Sequence, residues 1–121
     1  MQRFLLRSKL HGARVTEADL NYVGSVTIDR DLLEAADIVP NEKILVVNLE
    51  NGQRFESYVF EGAPGSGVIG VNGGAARKCQ VGDRILVMTF AAMDEAEMRG
   101  HTPRVVFVGA GNRAESAAAP R

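Results

Sequence analysis

A chain of 121 residues, 45% hydrophobic and 24% charged, has the makeup of one globular domain with a modest core. Its formal net charge of −1 argues against a dedicated nucleic-acid binder, and no segment reaches the roughly 18 uncharged apolar residues of a membrane helix. The single cysteine, Cys79, excludes an intramolecular disulfide and a zinc cluster built on thiolates. The apolar run Phe4, Leu5, Leu6 is interrupted at once by Arg7 and Lys9, which is not the pattern of a signal peptide, so a cytoplasmic chain is expected.

In chain order, residues 3–8 and 11–16 carry scattered Leu, Val and Thr and predict one or two opening strands. A short β-branched run follows at 23–28. Asp29 or Asp31 can then cap a helix whose Leu32, Leu33 and Ala36 share a face, with Pro40 beyond its end. The apolar run at 43–49 reads as a buried strand, and Asn51-Gly52 predicts a two-residue type I′ hairpin leading into a strand at 54–61. Turn chemistry at Pro64-Gly65-Ser66-Gly67 precedes a strand at 68–71, and Val81-Gly82-Asp83 precedes one at 84–90. A short helix at 92–99, a last strand at 105–108 and a frayed Ala-rich tail at 111–121 complete the pattern. Six or more short strands with two short helices predict a mainly β fold, a small closed barrel forming a single domain.

Few residues announce chemistry by themselves. His11 and His101 have no metal-ligand spacing, and Gly70-Val71-Asn72-Gly73-Gly74 lacks the Lys-Ser/Thr of a phosphate loop. Gly24-Ser25 is by default a turn, yet glycine before serine lets the hydroxyl approach the preceding carbonyl for an N-to-O acyl shift. Period-2 alternation puts Arg54 and Tyr58 on one strand face, about 13 Å apart, where a guanidinium could hold a carboxylate and a phenol donate a proton. Glu56 shares that face, so periodicity alone favours a solvated Arg-Glu surface with Tyr58 at its rim. The small residues after Asn72 could form an anion-binding nest or a plain connection.

Taken in order, Lys9-Leu10-His11, Ala18-Asp19-Leu20-Asn21-Tyr22-Val23-Gly24-Ser25, Asn51-Gly52-Gln53-Arg54 with Tyr58, and Val71-Asn72-Gly73 resemble the bacterial aspartate 1-decarboxylases. The correspondence runs from the first residues to about 108. The resemblance implies a six-stranded double-psi β-barrel, a homotetramer with sites between neighbouring subunits, and autocatalytic cleavage between Gly24 and Ser25. The products would be a β chain, 1–24, and an α chain, 25–121, with Ser25 converted to a pyruvoyl cofactor that serves in place of pyridoxal phosphate or a metal. L-aspartate would condense with the pyruvoyl ketone as a Schiff base, lose its α-carboxylate, and leave as β-alanine for pantothenate synthesis.

By the same resemblance Tyr58 is the proton donor, and Lys9 and Arg54 hold substrate carboxylate. Ser57 and the backbone of Gly73, Gly74 and Ala75 contact substrate, while His11, Tyr22 and Asn72 line the site. Two positions depart from the family pattern: Ser57 stands where Thr is usual and Gly74 where Ala is usual. Ser57 keeps the hydroxyl without the methyl that restricts χ1, and Gly74 loosens the loop. Other readings of the sequence are a pyruvoyl decarboxylase for glutamate or another amino acid, and an unprocessed barrel that only binds a ligand or partner. Whether a maturation factor assists cleavage is open at this level.

Overall fold

The computed structural model describes residues 1–118, the last three as backbone. Nine strands and two short helices follow in the order β1 (Arg3–Arg14), β2 (Glu17–Asp19), β3 (Val26–Asp29), α1 (Arg30–Ala36), β4 (Lys43–Asn48), β5 (Arg54–Gly62), β6 (Ile69–Asn72), β7 (Arg84–Met93), α2 (Glu95–Arg99), β8 (Arg104–Gly109) and β9 (Arg113–Ala118). A 3-10 turn, Gly73–Lys78, follows β6, and another, Ala110–Asn112, precedes β9. The fold is mainly β, as the alternation predicts.

The strands hydrogen-bond in the order β2-β6-β3-β5-β4-β7-β1-β8-β9. Three pairs, β1–β8, β2–β6 and β3–β5, are parallel, and the others are antiparallel. Two expectations are corrected here: the described strands number nine rather than six, and their ladder is not a closed ring. Side chains bridge its ends instead. Asn112, left-handed at φ 56, accepts from the Arg14 N–H through Oδ1 and donates through Nδ2 to the Arg14 and Gly67 carbonyls, all at 2.8 Å. A buried asparagine thus satisfies backbone groups that a further strand would otherwise pair.

Inside the curve lies one core, with Leu10, Val26, Ile28, Ile44, Val46, Val59, Ile69, Val71, Ile85, Val87 and Val106 almost fully buried. Helix α1 contributes Leu32, Leu33 and Ala36 and packs against β1, β3, β5, β8 and β9. Each buried leucine contributes about 1.5–3 kcal/mol. Asp29 caps α1 as expected, accepting from Asp31 N–H at 2.8 Å, and also accepts from Gly65 and Gly67 N–H at 3.1 and 2.8 Å. One buried carboxylate therefore holds the helix start and the loop before β6 together.

Local differences from the sequence reading have physical causes. Residues 3–14 form one strand because Gly12, at φ 86, absorbs a bulge between His11 and Ala13 where the pattern suggested a break. The β4–β5 connection is longer than a two-residue turn. Gly52 is left-handed at φ 74, but Asn51 is not among the positive-φ residues, and Gly52 N–H bonds the Asn48 carbonyl at 2.9 Å. Asn48 decides this: its buried Nδ2 donates to the Lys78 carbonyl and to Asp83, so β4 stops there. Strand β7 extends to Met93, and α2 starts only after Asp94, which forms a reciprocal capping box with Glu97. The frayed tail is also corrected: 113–118 pair with the edge of β8, where small residues meet the otherwise unpaired N–H and C=O groups. Residues 119–121 of that tail lie outside the described residues.

Candidate active site

β3 runs between β5 and β6, with Val26 opposite Val59 on the parallel side and Val71 on the antiparallel side. One step back along both ladders, Ser25 stands between Tyr58 and Asn72. The Ser25 carbonyl accepts from Asn72 N–H at 3.0 Å, which fixes that step. Exposure changes abruptly here: Ser25 is 3% exposed, whereas Val23 is 77% and Tyr22 51% exposed. The Gly24–Ser25 peptide therefore joins an open segment to an anchored strand end. Ser57 precedes Tyr58 on β5 and is half-buried.

The turn after β6 closes on this peptide. Gly73 is left-handed, φ 68, and a Cβ there would lie 2.7 Å from Gly24 Cα, 3.1 Å from Gly24 N and 3.3 Å from the Tyr22 carbonyl oxygen. No L side chain fits that approach. Gly74 points into open space, and Ala75 packs on the core. Asn72 is buried, and its Nδ2 donates to Thr27 Oγ1 at 3.2 Å. Thr27 has no special status in the sequence reading; the signal that could have found it is its period-2 relation to Ser25 on one strand face. A groove of about 350 Å³ alongside is lined by Tyr22, Thr27, Asn72, Phe60, Glu17 and Asp19, among others.

The structure thus brings Gly24, Ser25, Tyr58, Asn72, Gly73 and Tyr22 together, with Gly74 and Ala75 following on the same turn and Ser57 next to Tyr58 on β5. It does not bring Lys9, His11 and Arg54 to them within one chain. Arg54 pairs with Val47, Val47 with Leu86 and Leu86 with His11, while Lys9 pairs with Met88 and Met88 with Leu45, opposite Glu56. Lys9 on β1 is four strands from Ser25 on β3, ~19 Å along the sheet. Lys9, His11, Arg54 and Tyr58 all alternate with core-facing neighbours and so occupy the outer face of the curved sheet. Glu56 shares this face, as its spacing requires, but pairs with Lys43 at 3.0 Å. Among the described residues Lys9 and Arg54 enter no ion pair, which leaves two cations for an acidic ligand. His11 stacks at a tilt on Phe107, centroids 5.3 Å apart.

Cys79 is 4% exposed, and burial pushes its thiol above the ordinary range. A buried thiol disfavouring its thiolate is a structural cysteine. His101 is equally occupied, its Nε2 lying 2.7 Å from the Leu6 carbonyl oxygen.

Comparison with known proteins gives the family. The family model described as aspartate decarboxylase matches residues 1–115. The chain belongs to that family. It is 54% identical over 113 residues to the aspartate 1-decarboxylase of Thermoanaerobacter pseudethanolicus, covering 93% of this chain and 97% of that protein. Similarity to the enzymes of that name from Heliobacterium modesticaldum (56% identity, 93% and 86% covered) and Methylibium petroleiphilum (55%, 96% and 97%) is as high.

Proposed function

We propose that this chain is a self-cleaving, pyruvoyl-dependent decarboxylase that converts L-aspartate to β-alanine and CO2, the product serving pantothenate synthesis. The observation that carries the reading is the anchored Ser25 with the exposed Gly24 before it, between Tyr58 and Asn72. Ser25 Oγ attacks the Gly24 carbonyl carbon, the C–N bond breaks, and the hydroxyl proton ends on the freed Ser25 amine. Elimination of the Gly24 carboxylate from the ester leaves a dehydroalanine, and water then releases ammonia to give an N-terminal pyruvoyl group. Chains 1–24 and 25–121 result.

The surrounding residues suit that group. A small ketone-bearing N-terminus fits where Gly73 and Gly24 already touch without side chains, and the Asn72 N–H holds the carbonyl that would lie beside the ketone. When formed, the pyruvoyl group supplies an electron sink for loss of the α-carboxylate. The rest falls to the protein. Arg54, with its planar fork, and Lys9 hold substrate carboxylate, Tyr58 delivers a proton to the carbon that has lost CO2, and Ser57 and the turn at 73–75 orient the substrate. His11 and Tyr22 line the enclosure.

One protomer presents Tyr58 and the two cations on a convex outer face, which cannot surround a small substrate. That supports a homotetramer in which Lys9, His11 and Arg54 of one copy face Ser25 and Tyr58 of the next. The same outer face exposes Phe4 at 81%, Phe60 at 51% and Phe90 at 46%, with a groove of about 330 Å³ between Phe4, Leu45 and Phe90, apolar surface of the kind that subunits cover. Parallel crossings at β1–β8 and β3–β5 support a double-psi arrangement of strands. Among the described residues no helix is long and apolar enough to cross a membrane, in keeping with a cytoplasmic enzyme.

The decisive experiment is intact mass under denaturing conditions combined with turnover of aspartate and glutamate. Fragments 1–24 and 25–121, the latter with a pyruvoyl terminus, and higher kcat/KM for aspartate are expected. An intact, inactive chain refutes self-cleavage, and preference for glutamate refutes the substrate. Ser25→Ala provides the uncleaved control.

A further inference from the structure

We infer that Thr27 is a positioning residue for the cleavage step, acting through Asn72; this rests on the self-cleavage reading and deepens it. Asn72 is tied to β3 twice. Its backbone N–H donates to the Ser25 carbonyl at 3.0 Å, and its side-chain Nδ2 donates to Thr27 Oγ1 at 3.2 Å. The two ties lie on either side of Val26, whose own side chain is fully buried in the core. Alternation therefore puts Ser25 and Thr27 on the same face, with the Asn72 backbone held to the first and its carboxamide to the second.

Gly70 lies opposite Thr27 in the ladder, and a Cβ at 70 would make ordinary van der Waals contact with Thr27 Cβ at 3.4 Å and Asn72 Nδ2 at 3.8 Å, so the meeting of hydroxyl and carboxamide is closely packed. The bond to Thr27 holds the Asn72 carboxamide against rotation. In the acyl shift Ser25 Oγ must reach the Gly24 carbonyl carbon, so Ser25 has to be held in place, and the Asn72 N–H that fixes its carbonyl does this best when Asn72 is itself held. Thr27 touches neither reacting atom. It removes the freedom of the residue that anchors Ser25.

The test compares substitutions that separate hydroxyl from packing. Each chain is made by cell-free translation, and the fraction converted to 1–24 and 25–121 is followed by intact mass over time. Thr27→Val keeps the shape and loses the acceptor, and conversion should slow roughly three- to tenfold, the worth of one neutral hydrogen bond. Thr27→Ser keeps the hydroxyl and should convert within about twofold of wild type, a bound well under the cost of that bond. Thr27→Ala, the fallback if the valine variant is insoluble, should be slow like it. A merely structural role for the methyl predicts the opposite order, with the serine variant worse than the valine one. Wild-type speed in Thr27→Val and Thr27→Ala, or a serine variant as slow as they are, overturns the inference and leaves self-cleavage standing. A wild-type chain that never converts overturns both.

Discussion

Replacing Gly73 by alanine puts a methyl group where the structure has no space. The added carbon would lie 2.7 Å from Gly24 Cα at a φ of 68. The left-handed conformation costs an L residue about 1–2 kcal/mol. Relief of the contact needs roughly 1 Å of movement, since carbons prefer about 3.5–4.0 Å. Gly24 is the partner that yields, because it belongs to the exposed segment while Gly73 is buried and continues from β6. Global stability should therefore fall by only ~1–2 kcal/mol, while the carbonyl carbon moves away from Ser25 Oγ. A misplacement of about 1 Å costs on the order of a hundredfold in rate. Urea unfolding would measure the first effect and the time course of intact mass the second. Normal cleavage in a folded Gly73→Ala chain would show that the contact does not control the scissile bond.

Tyr58→Phe should leave cleavage intact and lower kcat for aspartate, because the phenol acts only after the cofactor exists; undiminished turnover assigns the proton to another donor. Arg54→Ala and Ser25→Ala, each inactive alone, should regain part of the activity when co-expressed, since a shared site can draw Arg54 from one copy and Ser25 from another. No recovery would place both groups in the same protomer's site. Cys79 should react with thiol reagents only as the protein unfolds, burial holding its thiol above the usual range, and fast native-state labelling would contradict that. Glu50 is held below the ordinary carboxylate range by its hydrogen bonds from the Arg84 side chain and N–H. A carboxylate lowered in the folded state stabilises above its unfolded pKa and loses that contribution as pH falls through the folded value. The melting difference between wild type and Arg84→Gln should accordingly shrink on acidification, and a difference independent of pH would exclude this pair as its source.

The helix at 30–36, with its aspartate cap and leucine pair, was legible in the sequence because local chemistry and burial agree there. The runs that became β4 to β6 were legible for the same reason. The Asn51-Gly52 turn misled, because its geometry answers to Asn48, whose bonds to Lys78 and Asp83 join residues 30 and 35 positions apart. The strand at 113–118 was illegible because alanine has no pattern of its own; pairing there is dictated by the waiting edge of β8. Periodicity found Arg54 and Tyr58 on one face but favoured a solvated surface over a site. The family resemblance reversed that weighting. Thr27 escaped both, since a threonine in a β-branched run looks like strand filler until Asn72 is seen beside it.

The place of β1 gives the proposed cut a second meaning. This 12-residue strand lies between β7 and β8, yet it belongs to the piece that ends at Gly24. A severed chain would keep that piece by ladder bonds and core packing alone, Leu10 and Ala13 being wholly enclosed. Two fragments that folded as one molecule would, once denatured, have to find each other in solution. Their recovery would then depend on protein concentration, and the shorter fragment, too small to bury its own apolar surface, could not wait in folded form. Maturation would thus make folding itself hard to repeat: the enzyme would carry a shape it learned as a single chain and could regain only by reassembly.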